Sequence, residues 1–380
     1  MRVLILHSRY RSGPASGENR VVEDEARLLS EAGHRVDSFT PELGRPSGSE
    51  IVSAAVGMIW SRTAENEVKR RVKEGEPDIV HCHNLFPALS PAVIRATEGK
   101  VPVVLTLHNY RFLCLPGTFF RDGRICEDCL GRVPWPGVVH RCYQGSFAAS
   151  AMLGSSLVLH RALDTYRHIR LYIAISDFVR RKYVEGALPA HRIIVKPHFA
   201  WPVEPARDGP GEYFVYVGRL VPEKGVKTLL DAWANIRAKL LVVGDGPEAP
   251  RLHVAAPRSV EFRGTLHPQE VTSVIRRARA VLIPSEWHEG AGKVVLEAYA
   301  AGVPVLASSA GALPEVVQHE VSGLLLPPTD PAAWADGVER LLDDSESERM
   351  GIAGRELWAN RYSPEHGLAN IETAYRRAMG

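Results

Sequence analysis

The feature that most constrains this chain is an alternation of short β-rich runs with longer helical patterns, and it occurs twice. In the first half the strand candidates are RVLILH (2–7), RVDSF (35–39), DIVHCH (78–83), VPVVLTLH (101–108) and LYIAIS (171–176). Between the first two, Val21, Val22, Ala26, Leu29 and Ala32 form a helical stripe that Gly33 stops. In the second half the candidates are EYFVYVG (212–218), AKLLVVG (238–244), VEFRG (260–264), AVLIP (280–284), VPVLAS (303–308) and GLLLP (323–327). Such alternation predicts an α/β protein: two doubly wound, Rossmann-like parallel-sheet domains facing a cleft, with ligands beyond the carboxyl ends of the strands. Residues 195–211 hold four prolines and two glycines and read as the joint. The expected organisation is a first domain over 1–196 with an insert at 109–147, a second domain over 197–362, and a helix over 363–380 that crosses back to the first.

Charge and hydropathy remove other classes. With 46 basic and 44 acidic side chains the formal net charge is +2, which gives no electrostatic case for nucleic acid. The run VLIL after Met1-Arg2 is far too short for a signal-peptide core, and no stretch reaches the roughly 18 to 20 apolar residues of a membrane span. A cytoplasmic protein is expected. Residues 51–73, an apolar helix followed by a basic run, keep open a peripheral contact with the inner face of an anionic membrane. The commoner outcome for such a segment is a core-packed helix with a solvated end. Oligomeric state is not encoded in any pattern.

Three loops carry candidate ligand chemistry. EWHEGAGKVVLEAYA (286–300) sets Glu289 and Glu297 on either side of Gly290, Ala291 and Gly292. The glycines bare peptide amides ahead of a helix, and carboxylates make short, directional bonds to hydroxyls, so the stretch suits a sugar. Two surface acids at an amphipathic helix entry is the plainer alternative. VGRLVPEKG (217–225) flanks a turn with Arg219 and Lys224, giving either an anion site or two solvated cations. HSRYRSGPASGENR (7–20) places Ser16 and Gly17 before a helix that Glu18 starts, in a turn that permits close backbone approach. Neither this turn nor VVGDGPE (242–248) has G-x-G-x-x-G spacing, which disfavours a nicotinamide cofactor.

In order and spacing, SGENRVVEDEARLLSEAGHRV, DIVHCHN, TLHNY, VGRLVPEKG, VVGDGPE, the E-x7-E segment, AAGVPVLASSAGALPEVV and SGLLLPPTD resemble the retaining glycosyltransferases of family 4, which have the GT-B fold. The resemblance covers nearly the whole chain. It implies transfer of a sugar from a uridine, guanosine or adenosine diphosphate sugar to a hydroxyl acceptor (a glycan, a lipid-linked intermediate or a small molecule), with no cofactor for catalysis. It implies that Arg219 and Lys224 grip the donor diphosphate and that Glu297 binds the ribose. Glu289 and His108 then stand near the donor sugar, and the amides of Gly292, Lys293 and Val294 contact sugar and phosphate. Gly218, Gly264 and Gly290 join the implied donor-binding set, Ser16 and Gly17 match the first-domain loop near the phosphates or acceptor, and base recognition falls on backbone around Phe262 to Leu266. The implied catalytic set is His108, Glu289, Arg219 and Lys224. Two departures stand out: Ala291-Gly292 follows Gly290 where Phe-Gly or Phe-Pro is frequent, and Asn109 follows the histidine where aspartate is frequent.

The implied mechanism is front-face attack, in which the departing phosphate takes the acceptor proton. Two rivals remain: a GT-B sugar-nucleotide epimerase, and a catalytically idle nucleotide-sugar scaffold or sensor. The presence of His108, Arg219, Lys224 and both glutamates counts against the idle form.

The insert carries Cys114, Cys126, Cys129 and Cys142 as C-x11-C-x2-C-x12-C. Clustered thiols around a C-x2-C suggest a structural zinc, with sulfur-only ligation favoured over His140. An iron–sulfur cluster, two disulfides or four free thiols are the alternatives, and Cys82 reads as a core residue. Arg111, Arg121, Arg124, Arg132 and Arg141 with Phe119, Phe120, Trp135 and Tyr143 suit an acceptor surface, or a loop tied down by its own side chains.

Overall fold

A parallel sheet forms from the first series of runs: β1 (Arg2–Leu6), β2 (Arg35–Phe39), β3 (Ile79–Cys82), β4 (Val103–Leu107), β5 (Ile169–Ala174) and β6 (Ile193–Val195), in the order β2-β1-β3-β4-β5-β6. This is a computed structural model; it describes residues 1–9, 17–42, 44, 56–97 and 99–380, and its contacts divide the chain into two units. The first unit comprises Met1–Phe119, Cys126–Lys196 and Leu368–Gly380. β3 and β4 are buried at every position, as expected of parallel strands covered on both faces. Helix α1 (Gly17–Glu31) turns Val21, Val22, Leu28 and Leu29 inward, and Gly33, at φ 83°, closes the turn that follows. The tail returns to this core: Ile371, Ala374 and Tyr375 pack with Val3, Ile5, Ile79 and Val104.

The second unit comprises Phe120–Ile125 and Pro197–Gly367. Its sheet holds β7 (Tyr213–Val217), β8 (Leu240–Val243), β9 (Val260–Gly264), β10 (Ala278–Ile283), β11 (Val305–Ser308) and β12 (Gly323–Leu326), in the order β9-β8-β7-β10-β11-β12. All pairings are parallel. Alternate residues feed two cores: Val215, Val243, Val281 and Val305 on one face, Phe214, Tyr216, Val242 and Leu282 on the other. The order reverses between β7 and β10, so the loops after these two strands define the switch point where such sheets take ligands.

Several details differ from the sequence reading. Most strand candidates run one residue too far and LYIAIS two, whereas RVDSF, VEFRG and VPVLAS end with their strands; His7, His83, His108, Gly218 and Gly244 lie just past the carboxyl ends of theirs. β6 was not anticipated, because three residues merge into the proline-rich joint. Helix α2 (Arg62–Gly75) buries Ala64 and Val68. The basic run there is paired with acids: Lys69 with Glu65, Arg70 with Glu67 and Glu74, Arg71 with Glu67 and Asp37. Residues 51–55 of that candidate membrane segment lie outside the described residues. Among the described residues no helix is long and apolar enough to cross a membrane.

The insert is a loop held largely by its own side chains. Phe119 is fully buried, Tyr143 is buried, and the buried Arg111 guanidinium sits 5.1 Å from the Tyr143 ring centre. These three serve packing and are not part of an exposed acceptor surface. Trp135, Arg124, Arg132 and Arg141 are exposed. Asn109, at the insert's entrance, donates to Glu18 of α1 at 2.7 Å, and Tyr183 donates to its carbonyl at 2.6 Å.

Candidate active site

The loop after β7 begins at Gly218, where a Cβ would lie 2.7 Å from the Tyr216 hydroxyl, which itself donates to the Arg219 carbonyl at 2.7 Å. A single 3-10 turn, Pro222–Lys224, ends at Gly225 in the left-handed region, φ 67°. A Cβ on Gly225 would fall 2.0 Å from the Pro284 carbonyl oxygen, so the backbone there runs against the end of β10. That approach delivers Lys224 to Glu289, with Nζ 2.7 Å from Oε2 and 5.2 Å from the centre of the Trp287 ring. Arg219 reaches the surface instead. Its side chain is half exposed and pairs only loosely with Glu223, at 3.8 Å. Helix α3 (Val226–Ala232), which follows Gly225, is only seven residues long.

Glu289 is the electrostatic centre of the site. It is 8% exposed, and its Oε2 accepts from Lys224 at 2.7 Å, the Ser285 hydroxyl at 2.8 Å and the Trp287 indole at 3.0 Å. Burial by itself pushes this carboxyl up, but the Lys224 charge and the three donors outweigh it and hold the group below its ordinary range. The Ser308 hydroxyl donates to the Ser285 carbonyl at 2.5 Å, tying the end of β11 to the same loop. Gly311, at φ 61°, lies flat against Glu289, where a Cβ would come within 2.4 Å of its amide nitrogen and carbonyl oxygen. The next amide, Ala312, donates to the Glu289 carbonyl at 2.8 Å. The carboxylate is thus fixed from both its side chain and its backbone.

Gly292, at φ 59°, is the N-cap of helix α4 (Lys293–Ala300), and no side chain caps it. Helix amides at such an end point along the axis and favour anions. Glu297 is half buried one turn along α4 from Lys293, and Gly290 is buried beside Glu289. Gly264 ends β9 in the left-handed region with open space around its Cβ direction, and Phe262 packs on His253 with ring centres 4.1 Å apart.

The second unit therefore brings Lys224 and Glu289 into direct contact and sets Arg219, Gly218, Gly290, Gly292, Lys293, Val294 and Glu297 on the loops and helix around them. Gly17 is the exposed first residue of α1. Ser16 lies outside the described residues. His108 follows β4 in the first unit, with Nε2 2.8 Å from His83 Nδ1. The sequence reading missed Ser285, Trp287 and Gly311. The only signal for the first two was their spacing of four and two residues before Glu289.

Cys114 and Cys129 are buried and Cys126 and Cys142 half buried, with no disulfide among them. Among the described residues the one set of three potential ligand groups lying within 4.8 Å of one another is Glu25, His81 and His83. Burial pushes the Cys114 thiol up to about 11 and that of the core residue Cys82 up to about 12.

Comparison with known proteins places these features. The family described as Glycosyl transferases group 1 matches residues 211–344, and that described as Glycosyltransferase Family 4 matches residues 15–199. D-inositol 3-phosphate glycosyltransferase of Corynebacterium glutamicum is 37% identical, over 97% of this chain and 93% of that protein. Glycogen synthase of Mycobacterium tuberculosis is 35% identical, over 94% and 90%. Among solved structures, sucrose-phosphate synthase from Thermosynechococcus elongatus superposes with a TM-score of 0.71 at 20% identity, covering 99% of each chain. Anabaena HepE, solved in complex with UDP, gives 0.67 at 18% identity, covering 98% of this chain and 99% of that one.

Proposed function

This chain belongs to glycosyltransferase family 4 and has the GT-B fold, and we propose that it moves a sugar, with retention, from a nucleotide diphosphate sugar to a hydroxyl acceptor. The observation that carries this reading is the buried Glu289 carboxylate, held ionised by Lys224 beside the uncapped start of α4. In the proposed complex Arg219 and Lys224 bind the donor diphosphate and take up the charge that develops as the glycosidic bond breaks. The amides of Gly292, Lys293 and Val294 add fixed dipoles, with Gly218, Gly264 and Gly290 leaving room for the ligand. Glu289 accepts from sugar hydroxyls, Glu297 from the ribose diol, and His108 serves as a polar contact to the transferred sugar. The departing phosphate oxygen takes the acceptor's proton as the new bond forms on the same face, so the two cations do the work a divalent ion does elsewhere. That Anabaena HepE was solved with UDP and with UDP-glucose supports a nucleotide sugar as donor.

A thermal-shift panel of uridine, guanosine and adenosine diphosphate sugars tests the donor. A cognate donor at a hundred times its Kd stabilises the protein by about 2.7 kcal/mol, a shift of several degrees. Nucleotide release measured on the same panel tests the transfer. A panel without any shift would remove the donor assignment, and a shift without release would reduce the protein to a binder.

A further inference from the structure

We infer that Glu25, acting through His83, fixes the tautomer of His108, which makes Glu25 and His83 positioning residues for the proposed transfer. The inference rests on the reading of His108 as a sugar contact. Its physical basis is a chain of polar groups in the first unit, buried up to the half-buried His108 at its end. α1 supplies Glu25, β3 and its end supply His81 and His83, the end of β4 supplies His108, the end of β1 supplies His7, and Lys196 follows β6.

Glu25 and Lys196 are each 1% exposed by side chain, and Lys196 Nζ donates to Glu25 Oε1 at 2.6 Å. The other oxygen, Oε2, stands 3.8 Å from His83 Nε2, and neither of these two atoms has a hydrogen-bond partner among the described residues. His83 Nδ1 lies 2.8 Å from His108 Nε2. The neighbouring rings are already committed. His81 has Nδ1 2.8 Å from the Tyr375 hydroxyl and Nε2 2.7 Å from the Thr106 hydroxyl. His7 takes the Asn84 amide on Nδ1 at 3.4 Å and faces the Asn19 carbonyl oxygen with Nε2 at 2.8 Å.

The same geometry explains why this cluster is not a metal centre, although Glu25, His81 and His83 meet within 4.8 Å. Lys196 already neutralises the carboxylate, and both nitrogens of His81 are engaged.

The proton positions follow by elimination. Burial, reinforced by His81, His108, His7 and Lys196, keeps His83 neutral, so its ring carries one proton. A lone pair on Nε2 would face the Glu25 carboxylate, setting acceptor against acceptor between side chains that are 0% and 1% exposed. The proton therefore belongs on Nε2, pointing at Oε2. His83 Nδ1 is then an acceptor, and the proton in its 2.8 Å contact must come from His108 Nε2. A neutral His108 so held carries its lone pair on Nδ1, the form that accepts from a sugar hydroxyl.

The test reads imidazole nitrogens directly. In the full-length protein labelled with 15N-histidine, long-range proton–nitrogen correlation should show His83 and His108 both protonated at Nε2, with His108 assigned by its loss in His108→Asn. In Glu25→Gln the amide oxygen stays on Lys196 and the amide N–H turns to His83 Nε2. Both histidines should then switch to the Nδ1-protonated form, and kcat should fall by about tenfold or more with donor KM little changed. A wild-type His108 protonated at Nδ1 would overturn the inference, as would an unchanged tautomer in folded Glu25→Gln. Should that variant not fold, the wild-type spectrum decides alone. The spectrum needs no donor, so a silent transferase assay counts against the proposed function and leaves the tautomer chain to be judged by its own signals.

Discussion

Arg219→Ala and Lys224→Ala should each lower turnover by about a hundredfold or more, while only the lysine variant loses stability. The common effect follows from the proposed role of both cations in holding charge on the leaving diphosphate. The difference follows from what each leaves behind. Arg219 is half exposed and its ion pair with Glu223 is long at 3.8 Å, so its removal should cost well under about 1 kcal/mol. Lys224 neutralises a carboxylate that is 8% exposed, and deleting one partner of a buried pair costs about 3–5 kcal/mol. Because the Lys224 side chain is itself 21% exposed, the lower end of that range is expected. The pH dependence should also change sign. In the wild type the Glu289 carboxyl is held below its unfolded value, so it adds stability that is present above the unfolded pKa and lost as pH falls through the folded one. Without Lys224, burial prevails and the folded pKa rises above the unfolded value. The variant is then worst at neutral pH and regains ground as the carboxyl protonates on acidification. Melting curves at neutral and mildly acid pH, beside nucleotide-release rates, check both parts. Turnover near wild type in either variant would argue against diphosphate binding here, and parallel pH curves would argue against the buried pairing.

What could be read in the sequence tracks what is local. The sheets were legible because strands covered on both faces become continuous apolar runs, as in IVHC of β3 and LLVV of β8. β6 was not, since three residues carry too little pattern. Arg219, Lys224, Glu289 and Glu297 were legible as loop residues at the ends of strands or the start of a helix. Their pairing was not. Lys224 and Glu289 are 65 residues apart, and the contact depends on Gly225 lying against Pro284, which no periodicity encodes. The same holds for the Glu25–His83–His108 chain, whose groups come from α1 and from just past the ends of β3 and β4. In the insert, composition suggested a ligand surface and cysteine spacing suggested a metal. Burial of Phe119, Arg111 and Tyr143 shows the loop spending those side chains on its own packing.

Gly225→Ala should strongly damage the second unit's active site, and Gly264→Ala is its control. Both glycines are left-handed, at φ 67° and 63°, so both replacements carry the same conformational cost of about 1–2 kcal/mol. They differ in surroundings. At Gly264 nothing lies within 4 Å of the added carbon, so the cost should end there. At Gly225 the carbon would sit 2.0 Å from the Pro284 carbonyl oxygen and 3.0 Å from its carbon, which is backbone anchored to the end of β10. Neither chain can yield without loosening Lys224, which lies beside the glycine, or Ser285, which follows the proline, and both of these hold Glu289. The expected loss is therefore at least about twice that of the control, together with transfer reduced by about tenfold or more, since a displacement near 1 Å in a preorganised site is costly. Urea midpoints for the two variants separate the contributions, because the shared backbone term cancels in their difference. Equal midpoints would show that the two loops do not depend on this approach, and would leave the Lys224–Glu289 contact without the scaffold that explains it.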